Sequence, residues 1–119
     1  MSMGNRPTAH PRRVERARRR LTPSSAQETI ARIQTALCEP ARLRIVQALT
    51  AGPLTVDDLA AVIERPPTAT SQHLRVLRDA GVVERTRRGI YASYRVAQGP
   101  TGAHVRAVLR SVERGAKDR

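Results

Sequence analysis

Residues 54–96 constrain the fold more than any other part of the chain. They begin with a helix-capping pattern at residues 55–58, break at Pro66 and Pro67, resume as a second helical pattern, and end as two alternating strands. A short helix, a turn, a second helix with a polar start and an arginine-tipped hairpin together make a winged helix-turn-helix. The sequence therefore predicts a mainly α fold with one β-hairpin, of the kind that sets a helix into the major groove of DNA.

Composition divides the 119 residues into an arm, one domain and a short tail. Residues 1–22 hold seven arginines against one acid, a pattern typical of disorder or weak helicity. This basic N-terminal arm either grips DNA phosphates, with reach into a minor groove, or is a solvated tail. Residues 23–115 are predicted to form the winged helix-turn-helix DNA-binding and dimerisation domain, and residues 116–119 a C-terminal tail.

The charge of the chain suits a polyanionic partner. The formal net charge is +12, and every one of the 22 basic residues except Lys117 is arginine, which binds phosphate bidentately. An arginine-rich soluble protein with no such partner is the alternative that charge alone leaves open. Tyr91 and Tyr94 are the only aromatic residues, too few for stacking single-stranded bases. Neither a phosphate loop nor a nucleophile or cofactor motif is found, so we expect no enzyme activity and no cofactor.

Apolar spacing and prolines predict the helices before the turn. The first helix follows a cap at Ser24 or Ser25 and ends near Cys38, because Pro40 disfavours helical geometry just before it. The second helix begins at Pro40, and the third opens at Thr55. Their predicted apolar faces are Ile30, Ile33 and Leu37, then Leu43, Ile45 or Val46, and Leu49, then Leu59, Val62 and Ile63.

A last helix is predicted from near Thr101, with a long apolar stripe. The stripe consists of Val105, Val108, Leu109 and Val112. A short terminal helix needs fewer apolar residues than this to pack on its own domain. A small domain becomes more stable when two copies bury their apolar faces against each other in a dimer. The stripe therefore predicts half of a dimer seam, shared with the first helix. Packing of the helix on its own domain is the alternative.

The fourth helix, from about Thr68 to Ala80, is predicted to read DNA. Short polar side chains at its start allow close approach, and methyl groups there can contact thymine. Gln72 can pair with adenine and Arg75 with guanine, whereas Leu74 faces the core. The candidate contacts are Thr68, Ala69, Ser71, Gln72, Arg75 and Arg78.

The hairpin is the second candidate DNA surface. Residues 82–86 and 90–96 are predicted as strands, joined by a turn at residues 87–89. Charged hairpins also protect sheet edges, but beside a helix-turn-helix they favour contact with phosphate or a minor groove. The candidate wing contacts are Arg85, Arg87, Arg88 and Gly89.

Three short runs resemble a known family. Residues 40–45, 71–74 and 80–83 read PARLRI, SQHL and AGVV, and the chain is similar over roughly residues 26–114 to the ArsR–SmtB family of bacterial winged-helix repressors. The resemblance implies four helices, two strands and a fifth helix, with a homodimer formed through the first and last helices. It also implies binding to an inverted-repeat operator in double-stranded DNA and release by an effector.

The chain departs from the metal-sensing members that it resembles. Thr55 stands where many of them have cysteine, and Gly102 and Gly115 stand where a second site has an acid and a histidine. His104 fits that site and Asp118 is a candidate for its last ligand, but one histidine and one carboxylate hold a transition metal poorly. We therefore expect no metal site.

Two residues remain as candidate effector or redox contacts. Cys38 ends a helix near Arg42 and Arg44, and positive charge favours a reactive thiolate, although a small buried packing role is the alternative. A lone cysteine forms no internal disulfide. His104 is the second candidate, and His73, beside core Leu74, is expected to be a packed residue.

The leading hypothesis is a cytoplasmic, homodimeric, sequence-specific transcriptional repressor. The alternative is a protein- or RNA-interaction module that uses the same winged helix without sequence-specific DNA binding. The two differ in the recognition helix, because Ser71, Gln72 and Arg75 are dispensable only in the second. No run approaches the length of a transmembrane helix, so no membrane partner is expected.

Overall fold

The computed structural model describes residues 9–117, and the side chains of residues 9–116. In chain order the elements are α1 (Pro11–Arg18), α2 (Ser24–Leu37), α3 (Pro40–Leu49), α4 (Val56–Ile63), α5 (Pro67–Asp79), β1 (Val83–Arg88), β2 (Tyr91–Val96) and α6 (Gly99–Lys117). From α2 onward this order confirms the predicted winged helix-turn-helix. Asp118, the candidate last ligand, lies outside the described residues.

The described part of the basic arm contains helix α1. The sequence left both disorder and weak helicity open, and the structure has two turns of helix here. Pro11 lies in the first turn, where a backbone amide would have no hydrogen-bond partner within the helix, so the missing N–H of proline does not destabilise it. The Glu15 carboxylate lies 3.7 Å from the Arg18 guanidinium and 3.6 Å from that of Arg19. None of the residues of α1 is buried. The helix is therefore supported by its own ion pairs rather than by packing on the domain.

Prolines set the boundary between α2 and α3, as predicted. The Glu39 carboxylate accepts a hydrogen bond from the Arg42 amide at 2.9 Å and so caps α3, while Pro40 occupies its first position. The predicted cap at Ser24 or Ser25 is wrong. Pro23 is the N-cap of α2 and no side chain caps it, because Pro23 itself takes the extended geometry of that position.

The capping box at the start of α4 is confirmed. The Thr55 hydroxyl accepts from the Asp58 amide at 3.1 Å, and the Asp58 carboxylate accepts from the Thr55 amide at 3.2 Å. At the other end, the Arg44 guanidinium donates to the carbonyl of Ile63. Val62 was expected to be buried and is exposed instead. The buried face of α4 runs through Leu59, Ala60 and Ile63, and position 62 lies beside it.

The core forms where α2, α3, α4, α5 and α6 meet the base of the hairpin. Among its fully buried side chains are Ile45, Leu59, Ile63, Leu74, Leu77, Val82 and Val105. Thr70, which faces this core from α5, is also fully buried, and its hydroxyl donates to the Pro66 carbonyl at 3.0 Å. These buried side chains fix one face of α5 against the core, so the opposite face of the helix is exposed to solvent.

The hairpin turn lies further along than the sequence predicted. The register runs from Val83 opposite Val96 to Arg88 opposite Tyr91. Arg87 and Arg88 therefore belong to β1, and the turn is Gly89 and Ile90. Gly89 has φ of 60°, which suits the first turn position, and this fixes the turn there. Tyr94 and Val96 are buried, as their predicted shared face required.

Helix α6 starts at Gly99, earlier than the expected Thr101, and passes close to the backbone of Ala97. A Cβ on Gly102 would collide with the carbonyl oxygen of Ala97. Val105 and Leu109 are buried in the core, whereas Val112 is 45% exposed. The apolar stripe therefore serves its own domain at one end and faces outward at the other. Neither α6 nor any other helix of residues 9–117 is long and apolar enough to cross a bilayer.

Candidate nucleic-acid interface

The outward face of α5 carries the predicted recognition residues. Leu74 and Leu77 are completely buried and hold the helix in one orientation. The side chains that this orientation exposes are Thr68, Ser71, Gln72, Arg75 and Arg78, and Ala69 is half-buried. The predicted set therefore lies on accessible surface, with Ala69 at its inner edge.

The start of α5 favours an anionic partner. Pro66 is its N-cap and Pro67 its first residue, and neither the caps nor the first turn holds an acidic side chain. The positive end of the helix dipole is therefore not neutralised by a neighbouring carboxylate of its own first turn. Thr68 and Ser71 leave room there for a phosphate to approach the backbone amides.

An open cleft of about 560 Å³ lies between α5 and the hairpin. Its lining residues are Ser71, Arg75, Arg78, Asp79, Arg85 and Tyr94. The structure thus brings three predicted residues of the helix together with one predicted residue of the wing. Arg85 faces the helix because it stands opposite buried Tyr94 in the hairpin register, and cross-strand partners share a face.

Sequence reasoning did not place Asp79 or Tyr94 in this site. Asp79 follows Arg75 by four residues, so helical spacing alone puts the two on neighbouring positions of one face. Tyr94 was assigned to a strand face without a role. Three guanidinium groups against one carboxylate leave the cleft positively charged. The cleft can therefore hold an anion such as a DNA phosphate.

The two faces of the hairpin carry different charges. Arg85 and Arg87 lie on the face toward α5, while Arg88 lies on the opposite face with Tyr91. On that second face the Arg95 guanidinium is 3.1 Å from the Glu84 carboxylate. Within residues 9–117, by contrast, no acidic side chain forms an ion pair with the wing arginines Arg85, Arg87 and Arg88. Their charge is therefore available to a partner.

His73 connects the recognition helix to the start of α3. Its Nδ1 lies 3.8 Å from the Glu39 carboxylate, and the side chain is largely buried. Glu39 is also the residue that caps α3. This placement agrees with the expected packed role for His73.

Cys38 and His104, the candidate effector contacts, lie in different places. Cys38 is exposed at the end of α2, so the small buried packing role is wrong. The Arg42 guanidinium donates to the carbonyl of Ala36 at 2.6 Å, and its position is thereby fixed at the end of α2. Across the described range 9–117, no three histidine, cysteine or acidic side chains cluster as metal ligands would.

His104 lies in a groove of about 370 Å³ between α2 and α6. The groove is lined by Ala26, Thr29, Ile30, Ile33, Pro100, Thr101 and His104. The Nε2 atom of His104 is buried, and no group among residues 9–117 forms a hydrogen bond with it. The groove is therefore mostly apolar surface, and burial of such surface in a contact is favourable.

Sequence comparison finds relatives over the whole domain. A family described as a helix-turn-helix domain matches residues 37–86. The transcriptional repressor SmtB homolog of Synechocystis sp. is 30% identical over 112 residues, 94% of this chain and 82% of that protein. The HTH-type transcriptional regulator NmtR of Mycobacterium tuberculosis is 42% identical over 74 residues. That match covers 60% of this chain and 62% of NmtR, which is less than two thirds of its length.

Structure comparison agrees. A homodimeric winged helix-turn-helix DNA-binding domain from Mycobacterium bovis, described as a possible ArsR-family transcriptional regulator, superposes with a TM-score of 0.71. It is 25% identical, and the match covers 81% of this chain and 89% of that one.

Proposed function

The chain belongs to the ArsR–SmtB family of winged helix-turn-helix transcriptional regulators, and we propose that it is a homodimeric repressor that an effector releases from an inverted-repeat operator. The observation that carries the proposal is the arginine-lined cleft between α5 and the wing. It joins the helix that would read bases to the hairpin that would hold the backbone. A regulator of this kind acts in the cytoplasm, where its operator is accessible.

Base reading is proposed for the exposed face of α5. Gln72 can donate to and accept from an adenine, and Arg75 can donate two hydrogen bonds to a guanine. Phosphate contacts are proposed for Arg78, Arg85 and Arg87, because phosphate contacts position a protein on DNA whereas base contacts specify the sequence. Both side chains proposed to read bases are exposed, so neither must leave the core to reach DNA.

Dimerisation is proposed through α2 and α6. The groove between them is lined mostly by apolar side chains, and the outer end of the α6 stripe leaves Val112 half-exposed. A second copy covering this surface would bury both the groove and Val112. Two-fold symmetry would then set two α5 helices about 34–36 Å apart, one turn of DNA. A monomeric mass by sedimentation at micromolar concentration would contradict this arrangement.

The exposed arginines of α1 are proposed to add phosphate contacts. Glu15 neutralises part of the charge of Arg18 and Arg19, while Arg12, Arg13 and Arg16 form no ion pair within residues 9–117. These three are the members of the helix with charge available to DNA. Their contribution would be independent of sequence.

The proposal is tested by fluorescence anisotropy on the DNA upstream of the protein's own gene. A shuffled duplex of equal length is the control, and both are titrated at several salt concentrations. Preference for the native duplex by about a thousandfold is expected of a specific regulator. Equal binding to both duplexes, lost together as salt rises, would show non-specific phosphate binding and overturn the proposal at that site.

Arg85→Ala is expected to weaken binding to native and shuffled duplexes by the same factor. Because Arg85 lines the cleft and is proposed to contact a phosphate, its loss should reduce the slope of log affinity against log salt by about 0.9. Arg95→Ala is the matched control in the same hairpin, since the Arg95 guanidinium is already paired with Glu84. A slope that changes equally in both variants would contradict the role of Arg85.

A further inference from the structure

The tip of the wing exposes two apolar side chains. Ile90 is 88% exposed and Tyr91 71% exposed, and Ile90 is the most exposed large apolar residue of the described chain. Ile90 occupies the second position of a two-residue turn, after Gly89 at a φ of 60°. A large apolar side chain at this exposed position contributes little to the stability of its own domain. Its presence therefore points to a contact outside the domain.

The hairpin presents this tip on a stiff arm. Six consecutive residue pairs run without interruption from Val83 and Val96 to Arg88 and Tyr91. The arm is anchored toward its base by two hydrogen bonds between the backbones of Leu54 and Tyr94, at 3.1 and 2.8 Å. Six residues per strand extend roughly 20 Å. Ile90 is consequently held at a fixed distance from α5.

The surroundings of the tip are basic. Arg87 and Arg88 directly precede the turn, on opposite faces of the hairpin. An apolar tip with a guanidinium on each side matches a DNA minor groove, where phosphates flank the groove and an apolar side chain can insert between two base pairs. The cleft at Arg85 places the same hairpin beside the DNA that α5 would occupy.

We propose that Ile90 is a wedge that enters the minor groove beside the operator's major-groove site and partly unstacks one base step. Tyr91 would lie against the sugars at the mouth of the groove. The inference rests on the proposed function and adds a source of specificity. Unstacking is cheapest at flexible pyrimidine–purine steps, so the protein would prefer TA or CA at a position that no side chain reads by hydrogen bonding.

The test compares Ile90→Ser with the wild-type chain. Serine suits a turn, and Ile90 packs against little in the domain, so the melting temperature should not change. Leu21→Ser is the matched control, because Leu21 is also exposed and apolar but lies between α1 and α2. DNA bending is measured by energy transfer between dyes at the two ends of the upstream duplex. Affinity is measured on duplexes in which each flanking step in turn is TA or GG.

Wild-type protein and Leu21→Ser are expected to bend the duplex and to favour TA over GG at one symmetric step. The preference should be about tenfold, typical of one altered base pair in a specific site. Ile90→Ser should lose both the bend and the preference while still favouring native over shuffled DNA. If Ile90→Ser behaves as wild type on every duplex, Ile90 does not insert into the DNA and the proposal is wrong. The exposed tip would then be a candidate contact for a protein partner. If wild-type protein does not distinguish native from shuffled DNA, the proposed function fails instead.

Discussion

Gly102→Ala is expected to lower the free energy of unfolding by about 3 kcal/mol or more. The new methyl group would collide with the Ala97 carbonyl oxygen, which is backbone and has no rotamer to escape into. Overpacking of a core costs about 1–3 kcal/mol when side chains can adjust. Because the backbone at Ala97 can adjust less than a side chain, we expect a cost at or above the top of that range. Helix α6 must then shift away from the strand end, which pulls Val105 and Leu109 from the core.

The measurement is a thermal melt followed by circular dichroism. A loss of 3 kcal/mol in a domain of this size lowers the melting temperature by at least about 10 °C. Gly115→Ala is the control in the same helix, because no atom lies within 4 Å of the Cβ that it adds. It should leave stability unchanged or raise it by about 0.5–1 kcal/mol, the usual gain of alanine over glycine in a helix. Equal melting temperatures for the two variants would contradict the close approach at Gly102.

Gly102 also explains a departure from the family's metal-sensing pattern. The resemblance places an acid at this position, next to His104 in the same helix. Any side chain here meets the backbone of Ala97, so a carboxylate would require a different seating of α6. Glycine at this position is what permits the close approach of α6 to the Ala97 carbonyl. His104 lines the mostly apolar groove between α2 and α6 instead.

Local signals predicted most of the elements. Pro40, Pro66 and Pro67 mark helix boundaries because the ring fixes the backbone wherever it occurs. The capping box at Thr55 and Asp58 depends on residues three apart, so it too can be read directly from the sequence. These features do not depend on what the rest of the chain does.

The errors concern features that depend on contacts between elements. The turn at Gly89 is set by which residue of β1 pairs with which of β2, and a basic run carries no signal for that register. The exposure of Val62 depends on how α4 is rotated against α3 and α5. The four-residue spacing of Asp79 from Arg75 could have placed Asp79 in the candidate site, whereas the approach of Arg85 depends on how the hairpin packs against α5.

Simultaneous alanine substitution of Gln72 and Arg75 is expected to abolish most of the preference for the operator. Each bidentate contact to a base discriminates by about 1–3 kcal/mol, so the pair should account for about 2–6 kcal/mol. Most of that range exceeds a hundredfold in affinity. Both side chains are exposed on α5, so the melting temperature should stay close to that of the wild type.

The decisive quantity is the ratio of affinities for native and shuffled duplexes. The double variant loses one positive charge, and this loss weakens both duplexes alike, whereas loss of base contacts weakens only the native one. Arg110→Ala is the control, since it removes the same charge from the exposed surface of α6. It should lower both affinities slightly and leave the ratio intact. A double variant that also keeps the ratio would show that the specificity does not come from these two side chains, and the major-groove role assigned to α5 would be wrong.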